Sequence, residues 1–399
     1  MLDGKDLILA TRPFAHEVRW KSWWHVFTSL VVLGTGYLII FTAAPLWAKF
    51  LGSVLVALTL GRIFVIYHDY LHHAILQKSL LAKSFFVAFG LFMLAPVSIW
   101  ERSHNYHHAH NSKLYTSSIG SFPVVTKEKF LSSTKLEQRV YLFVRHPFTI
   151  ALGYIFMFLY GMCIRSLVNN TGRHWDSIVA LVLHVAFGVL LAVFTGWTGF
   201  LFGFLIPFII VLSLGSYLFY AQHNFPDVTF SEKDGWTYAG AALESSSHMK
   251  MSPVMRWFLA NIGYHHIHHL NPRIPFYRLP EVYAAIPELQ NAKTTSLWPW
   301  DVWKCLRLKA WDPEKQRMIG RRDLCAWRAT LPRGDHLSTP ACVGHRSLLQ
   351  RSVCCSAAVQ RHGDGPTAEW SPTCSPRSIP TCSYPPGSPS LFGALSICF

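Results

Sequence analysis

The stretch "GFLFGFLIPFIIVLSLGSYLFY" (199–220) carries no charged residue from end to end, and its reading decides the fold. A helix of that length reaches ~33 Å at ~1.5 Å per residue, enough to cross the ~30 Å hydrocarbon core of a bilayer. Working outward, "IVALVLHVAFGVLLAVF" (178–194) precedes it, and "HVFTSLVVLGTGYLIIFTAAPLW" (25–47) and "FLGSVLVALTLGRIFVIY" (50–67) form a similar pair upstream. Trp20, Trp23, Trp24, Trp47 and Trp197 stand beside the ends of these runs, as interfacial belts do. Hydrophobic residues make up 51% of the 399 and charged residues 14%, against about a quarter in ordinary soluble domains. The sequence predicts an all-α integral membrane protein, multi-pass, with transmembrane helices at about 25–47, 50–67, 178–195 and 199–220 in two hairpins. The first apolar run follows a mixed charged segment, which is not the pattern of a signal peptide.

The formal net charge of +15 does not indicate a nucleic-acid partner. The basic residues are spread over the non-apolar segments, as expected of a cytoplasmic face beside anionic lipid. Nine cysteines suggest a disulfide framework until they are mapped. Seven (Cys325, Cys342, Cys354, Cys355, Cys374, Cys382 and Cys398) lie in the last 75 residues, in a segment rich in Ser, Pro and Arg that lacks lysine and asparagine. Residues 1–320 read as the membrane domain. Residues 321–399 read as a disordered tail or as off-frame translation.

Histidine is the other abundant signal. Twelve of the 21 fall in four places: "HDYLHH" (68–73), "HNYHHAH" (104–110), "HHIHH" (265–269), and His223 just beyond the last apolar run. On a helix, positions i, i+3 and i+4 share a face. His68 and His72, with His73 adjacent, follow i, i+4; His104, His107 and His108 follow i, i+3, i+4, as do His265, His268 and His269. His110 and His266 lie off those faces. The scattered His16, His146, His174, His184, His248, His336, His345 and His362 read as ordinary polar residues. So many imidazoles exceed the four ligands of one zinc and point to two metals. Ligand type alone accepts iron, copper, zinc or nickel; a redox pair beside apolar chain favours iron. Asp69, Glu101, Asn105 and Asn261 are close enough in sequence to orient imidazoles.

A shared site requires an even number of crossings between clusters. The shorter apolar stretches 85–100 and 148–163 are therefore expected to be interfacial or half-inserted rather than spanning. All three clusters then lie on one face, forming a cytoplasmic histidine-rich cap.

The three boxes and the surrounding "NIGYHHIHHLNPRIPFYRLPE" resemble the membrane-bound fatty acid desaturase family, most of all acyl-lipid members of the bacterial and plant-type Δ12/ω-6 branch. The resemblance covers roughly residues 20–320. It implies two iron ions held by His68, His72 or His73, His104, His107, His108, His265, His268 and His269, with His223 matching the family's extra histidine. It also implies O2-dependent insertion of a cis double bond into the acyl chain of a membrane lipid. The first box departs from the pattern, reading Asp-Tyr-Leu where many ω-6 members carry a Cys-Gly pair. No flavin or nicotinamide fingerprint and no fused haem signature is present, so an external electron donor, a ferredoxin or small cytochrome, is expected. A basic face would steer an acidic carrier. A hydroxylase or ketolase on the same scaffold is the nearest alternative. A metal transporter is a remote one, since it would place its ligands near mid-membrane, where only His184 lies.

Overall fold

The computed structural model describes residues 4–115, 122–231 and 236–330, of which 327–330 are described by backbone alone. The described residues up to Ala326 form one compact unit. Helix α1 (Gly4–Thr11) is followed by α2 (Arg19–Phe41) and α3 (Leu46–Leu71), an antiparallel hairpin. The first apolar run thus ends earlier than the expected 47. Pro45 cannot continue a helix and instead starts the next one. Lys49 closes the turn, its Nζ donating to the carbonyls of Ile40 and Thr42 that the end of α2 leaves unpaired. The two helices touch through glycine: a Cβ on Gly36 would sit 2.7 Å from Val56, and one on Gly52 would sit 3.0 Å from the Gly36 carbonyl oxygen.

The second apolar pair forms one helical stretch, Asp176–Ala221, that folds back on itself. It comprises α6 (Asp176–Phe200), a wide-turn segment Leu201–Leu205 and α7 (Ile206–Ala221). Gly196 breaks the helix with φ 68° and ψ −175°, a conformation that favours glycine. The ring of His184 lies 4.7 Å from that of Phe208, and Phe187 lies 5.7 Å from Phe204. A straight helix would hold the first pair ~36 Å apart. Among the described residues, three helices are long and apolar enough to cross a membrane: α2, α3 and this folded stretch. Their outer faces, including Phe27, Val31, Leu38, Val182, Val189 and Phe194, are exposed and apolar, as lipid-facing surfaces are.

The two shorter apolar stretches are both interrupted, and both ends of each lie near the start of α6 or the end of α7 or α3. The 85–100 stretch is not one helix: α4 (Leu80–Phe92) and α5 (Val97–His110) meet at 89°. Pro96 disfavours helical backbone at Ala95 and starts α5. Phe92 reaches Phe187 and Phe208 inside the second hairpin, while Ser98 returns to Asp176 at its start (Oγ to Oδ1, 2.6 Å). The 148–163 stretch is a short helix, Pro147–Ala151, and a wide-turn helix, Tyr154–Arg165. Arg145 before it bonds the Tyr220 hydroxyl at the end of α7, Tyr154 reaches His184 (2.6 Å), and Ser166 returns to Ser177 at the start of α6 (3.4 Å).

The remaining chain forms a cap of short elements that includes α8 (Tyr238–Ser245) and α9 (His265–Leu270). The fold is mostly helical, as expected, with two small strand pairs in addition. Strands β1 (His248–Lys250) and β2 (Thr294–Ser296) pair in parallel, and β3 (Leu308–Asp312) and β4 (Arg317–Gly320) pair antiparallel. They are too short to show any strand alternation in the sequence. The tail reading falls on residues outside those described, apart from the helix Arg321–Thr330. There Leu324 is buried in a small cluster with Val125, Phe130, Tyr141 and Ile319.

Candidate metal centre

Four helix ends converge under the cap. His68 sits on the last turn of α3 and His72 is its C-terminal cap; α5 contributes His104, His107 and His108; His223 follows α7; α9 contributes His265, His268 and His269. All nine are buried, and they sort into two groups, each with its ligand nitrogens within 4.8 Å of one another. The five-histidine group is His68, His72, His104, His108 and His268; the four-histidine group is His107, His223, His265 and His269.

The sorting follows helix geometry. Each H-x-x-H-H box gives its i, i+4 pair to one group and its middle histidine to the other. His104 and His108 join His268, while His265 and His269 join His107. His107 and His108 are adjacent, a step of ~100° around the helix, and fall into different groups.

Nε2 atoms face inward. In the five-histidine group, His68 to His104 is 2.8 Å, His104 to His108 is 3.2 Å and His108 to His268 is 3.1 Å. In the other, His223 to His265 is 2.9 Å, His265 to His269 is 3.1 Å and His269 to His107 is 3.1 Å. Two nitrogens bound to one ion at about 2.1 Å and at right angles lie ~3.0 Å apart, whereas tetrahedral ligands lie ~3.4 Å apart. The observed spacings are of the size that nitrogens sharing one ion would have. Neutral imidazoles crowded this way offer lone pairs to one another, and the buried Nε2 of His72 has no hydrogen-bond partner. A shared cation in each group satisfies both facts. Burial, and then the neighbouring imidazoles, hold His265, His268 and His269 well below the ordinary histidine range, which keeps them neutral and ready to bind metal.

Orientation comes from the other ring nitrogen. His223 Nδ1 donates to the Ser245 carbonyl at 2.9 Å, which leaves its Nε2 lone pair pointing into the site. His68 Nδ1 lies 3.3 Å from the Asp69 carboxylate, and Asp69 is itself held by the Phe276 backbone N–H at 2.7 Å. Of the other residues near in sequence, Asn105 is exposed, Glu101 is half-buried and Asn261 bonds the Phe276 carbonyl instead of an imidazole.

Three neighbouring histidines stay outside. His73 has φ 59°, is exposed and pairs through Nδ1 with Gln77 at 3.0 Å, so of the doubled His72-His73 only His72 enters a group. His110 stacks on Tyr106, and His266 pairs with the Leu289 carbonyl at 3.1 Å.

The sequence did not reveal what lies beneath the histidines. An apolar cavity runs between α3 and α7. Phe64, Val65, Phe158, Leu218 and Phe219 are among its walls, Gly61 and Gly215 leave room in it, and His68, His104, His107 and His265 line it at the metal end. It is therefore in contact with both groups. Long-range packing creates it, so no local motif announces it.

The profile of the family described as "Fatty acid desaturase" matches residues 44–300. A fatty acid desaturase of Bacillus subtilis is 31% identical over 70% of this chain and 79% of its own length. An sn-1 oleoyl-lipid 12-desaturase of Anabaena variabilis is 26% identical over 71% of this chain and 81% of its own. A chloroplastic omega-6 fatty acid desaturase of Glycine max is 23% identical over 78% and 72%. With the matched region spanning α3 through the third histidine box, the chain belongs to the fatty acid desaturase family and is an oxidoreductase of lipid metabolism.

Proposed function

We propose that this protein is a di-iron, O2-dependent acyl-lipid desaturase of Δ12/ω-6 type. The observation that carries the reading is the apolar cavity lined by histidines of both groups. Five imidazoles in one group exceed the tetrahedral preference of zinc, and an all-nitrogen site without thiolate suits iron. When bound, the iron pair would supply the oxidising power that removes hydrogen from two neighbouring CH2 groups while O2 is reduced to water.

The chain's own residues do the rest. Methylenes are chemically alike, so selection falls to the depth and shape of the cavity, set by Phe64, Phe158, Leu218 and Phe219. The same walls exclude water from the histidines. Asp69 and the Ser245 carbonyl fix imidazole orientation, and His73 serves neither group.

Four transmembrane segments in two hairpins, with α4–α5 and 147–169 dipping from the histidine side, fit the geometry. Both hairpins then open toward a cytoplasmic histidine cap, where a ferredoxin or small cytochrome delivers electrons. The desaturase domain is taken as residues 1–320, and Leu324 just beyond it packs in the small cluster with Val125 and Tyr141. The test is the fatty acid profile, by gas chromatography and mass spectrometry, of a host without polyunsaturated lipids, expressing the chain or its His268→Ala variant. A new diene absent from the variant is expected. An oxygenated product would move the reading to a hydroxylase, and an unchanged profile with inserted protein and a competent donor would overturn it.

A further inference from the structure

The apolar run of α3 contains one cation, Arg62, and it is buried. At ~1.5 Å per residue it lies ~24 Å from the start of α3 at Leu46, near the histidine-side boundary of a ~30 Å core. A charge at this depth requires a partner. Its Nε donates to Ser29 Oγ at 3.0 Å, its Nη2 to His25 Nδ1 at 3.0 Å, and its Nη1 to the Trp257 carbonyl. The Trp257 ring covers the guanidinium at 4.1 Å. Every one of these partners is neutral. Among the described residues, neither Arg62 nor the nearby Arg256 forms an ion pair with a carboxylate. Arg256 reaches only the Tyr264 hydroxyl, at 3.5 Å.

Both arginines line one open cavity, together with His25, Trp257, Asn261 and Phe276. It is distinct from the acyl cavity. Trp257 and Asn261 line this one, while Leu259 and Ile262 of the same segment line the other, so residues 257–262 form the wall between them. Two guanidiniums without a carboxylate partner around one opening suit an anion.

We propose that this cavity is an anion site that takes a phosphoryl group, with Arg62 at its floor and Arg256 at its mouth, and that the group is the head of a phospholipid from the same leaflet. From the proposed function the site borrows only the premise that α2 and α3 cross a bilayer. Free phosphate has the same chemistry, and the test separates the two sources.

Full-length protein in neutral detergent is exchanged against dioleoyl phosphatidylglycerol, dioleoylglycerol or inorganic phosphate, and retained ligand is measured by native mass spectrometry, with metal content read in parallel. Wild type is expected to retain the phospholipid over the neutral lipid by about tenfold, the size of one charge-assisted bond. Arg256→Gln, which leaves the Arg62 ties intact, is expected to bring the ratio near one with metal content unchanged. Arg62→Gln is expected to do the same where it remains monodisperse. Arg256-dependent binding of inorganic phosphate without a lipid preference would keep the anion site and make free phosphate its source. A wild-type ratio near one without phosphate binding, or an unchanged ratio in Arg256→Gln, overturns the proposal. The readout is retention, so a chain that makes no diene leaves this result standing.

Discussion

The two histidine groups are built alike and finished differently. Each takes an i, i+4 pair from one short helix (His104 and His108, or His265 and His269) and a single histidine crossing over from the other helix (His268, or His107). Each is completed from the end of a helical hairpin. The first hairpin supplies two residues, His68 and His72, and the second supplies only His223. Four residues after His223 comes Asp227, which is exposed with φ 69°, so no second ligand follows. Their supports differ too: a buried carboxylate beside His68, a backbone carbonyl behind His223. The five-histidine group is therefore the more nearly saturated, and its orientation depends on a side chain that mutation can remove.

The largest expected effect tests this difference in saturation. His265→Ala and His268→Ala should each lower desaturation by at least ~100-fold, since each removes a ligand. Metal content should separate them. The four-histidine group falls to three ligands in His265→Ala and loses its ion, whereas the other keeps four in His268→Ala and retains most of its own. Equal losses by elemental analysis would break the comparison. Next in size is the support. Asp69→Asn should cost ~10–100-fold in turnover, whereas Ser245→Ala, which leaves the carbonyl in place, should change it less than ~3-fold. Indistinguishable rates for the two variants would show that orientation does not reside where the geometry puts it.

Much of this site could be read along the chain, because helical periodicity is local. The boxes followed from spacing, His223 from its place just past the last apolar run, and the expectation of two metals from the number of imidazoles. The division of each box did not, because whether His107 serves the group of His104 depends on how α5 and α9 cross. Helix ends were misplaced at Pro45 and Pro96, where the backbone constraint of proline overrode a hydrophobic pattern that continued through it. The cavity and the Trp257 wall join residues nearly 200 positions apart, and periodicity carries no information at that range. Arg62 is a different case: a lone cation inside 50–67 was visible, yet only its neutral partners show that it lacks a counter-charge.

A milder change addresses what the two groups share, the cavity. A Cβ on Gly61 would stand 3.6 Å from Val211, at ordinary contact, so Gly61→Ala fills space without displacing backbone. It should keep both metals and lower activity on long acyl chains by a few-fold, more than on shorter ones. A uniform loss across chain lengths would argue that the acyl chain does not pass Gly61.

The smallest effect lies one residue from His72. His72 and His73 are adjacent, but His72 still has near-helical backbone (φ −76°, ψ 4°) and turns inward, while His73 has passed into the left-handed region at φ 59°. A non-glycine residue there costs roughly 1 kcal/mol, and the exposed contact of His73 with Gln77 returns little of it. His73→Gly should therefore retain metal and activity within ~2-fold, with an unfolding midpoint in detergent equal to or above wild type. His72→Gly removes an inward imidazole from the five-histidine group and should cost at least ~10-fold in turnover. If His73→Gly lost metal while His72→Gly kept it, the chain would turn at the end of α3 in the opposite sense, and the count of five against four would fall with it.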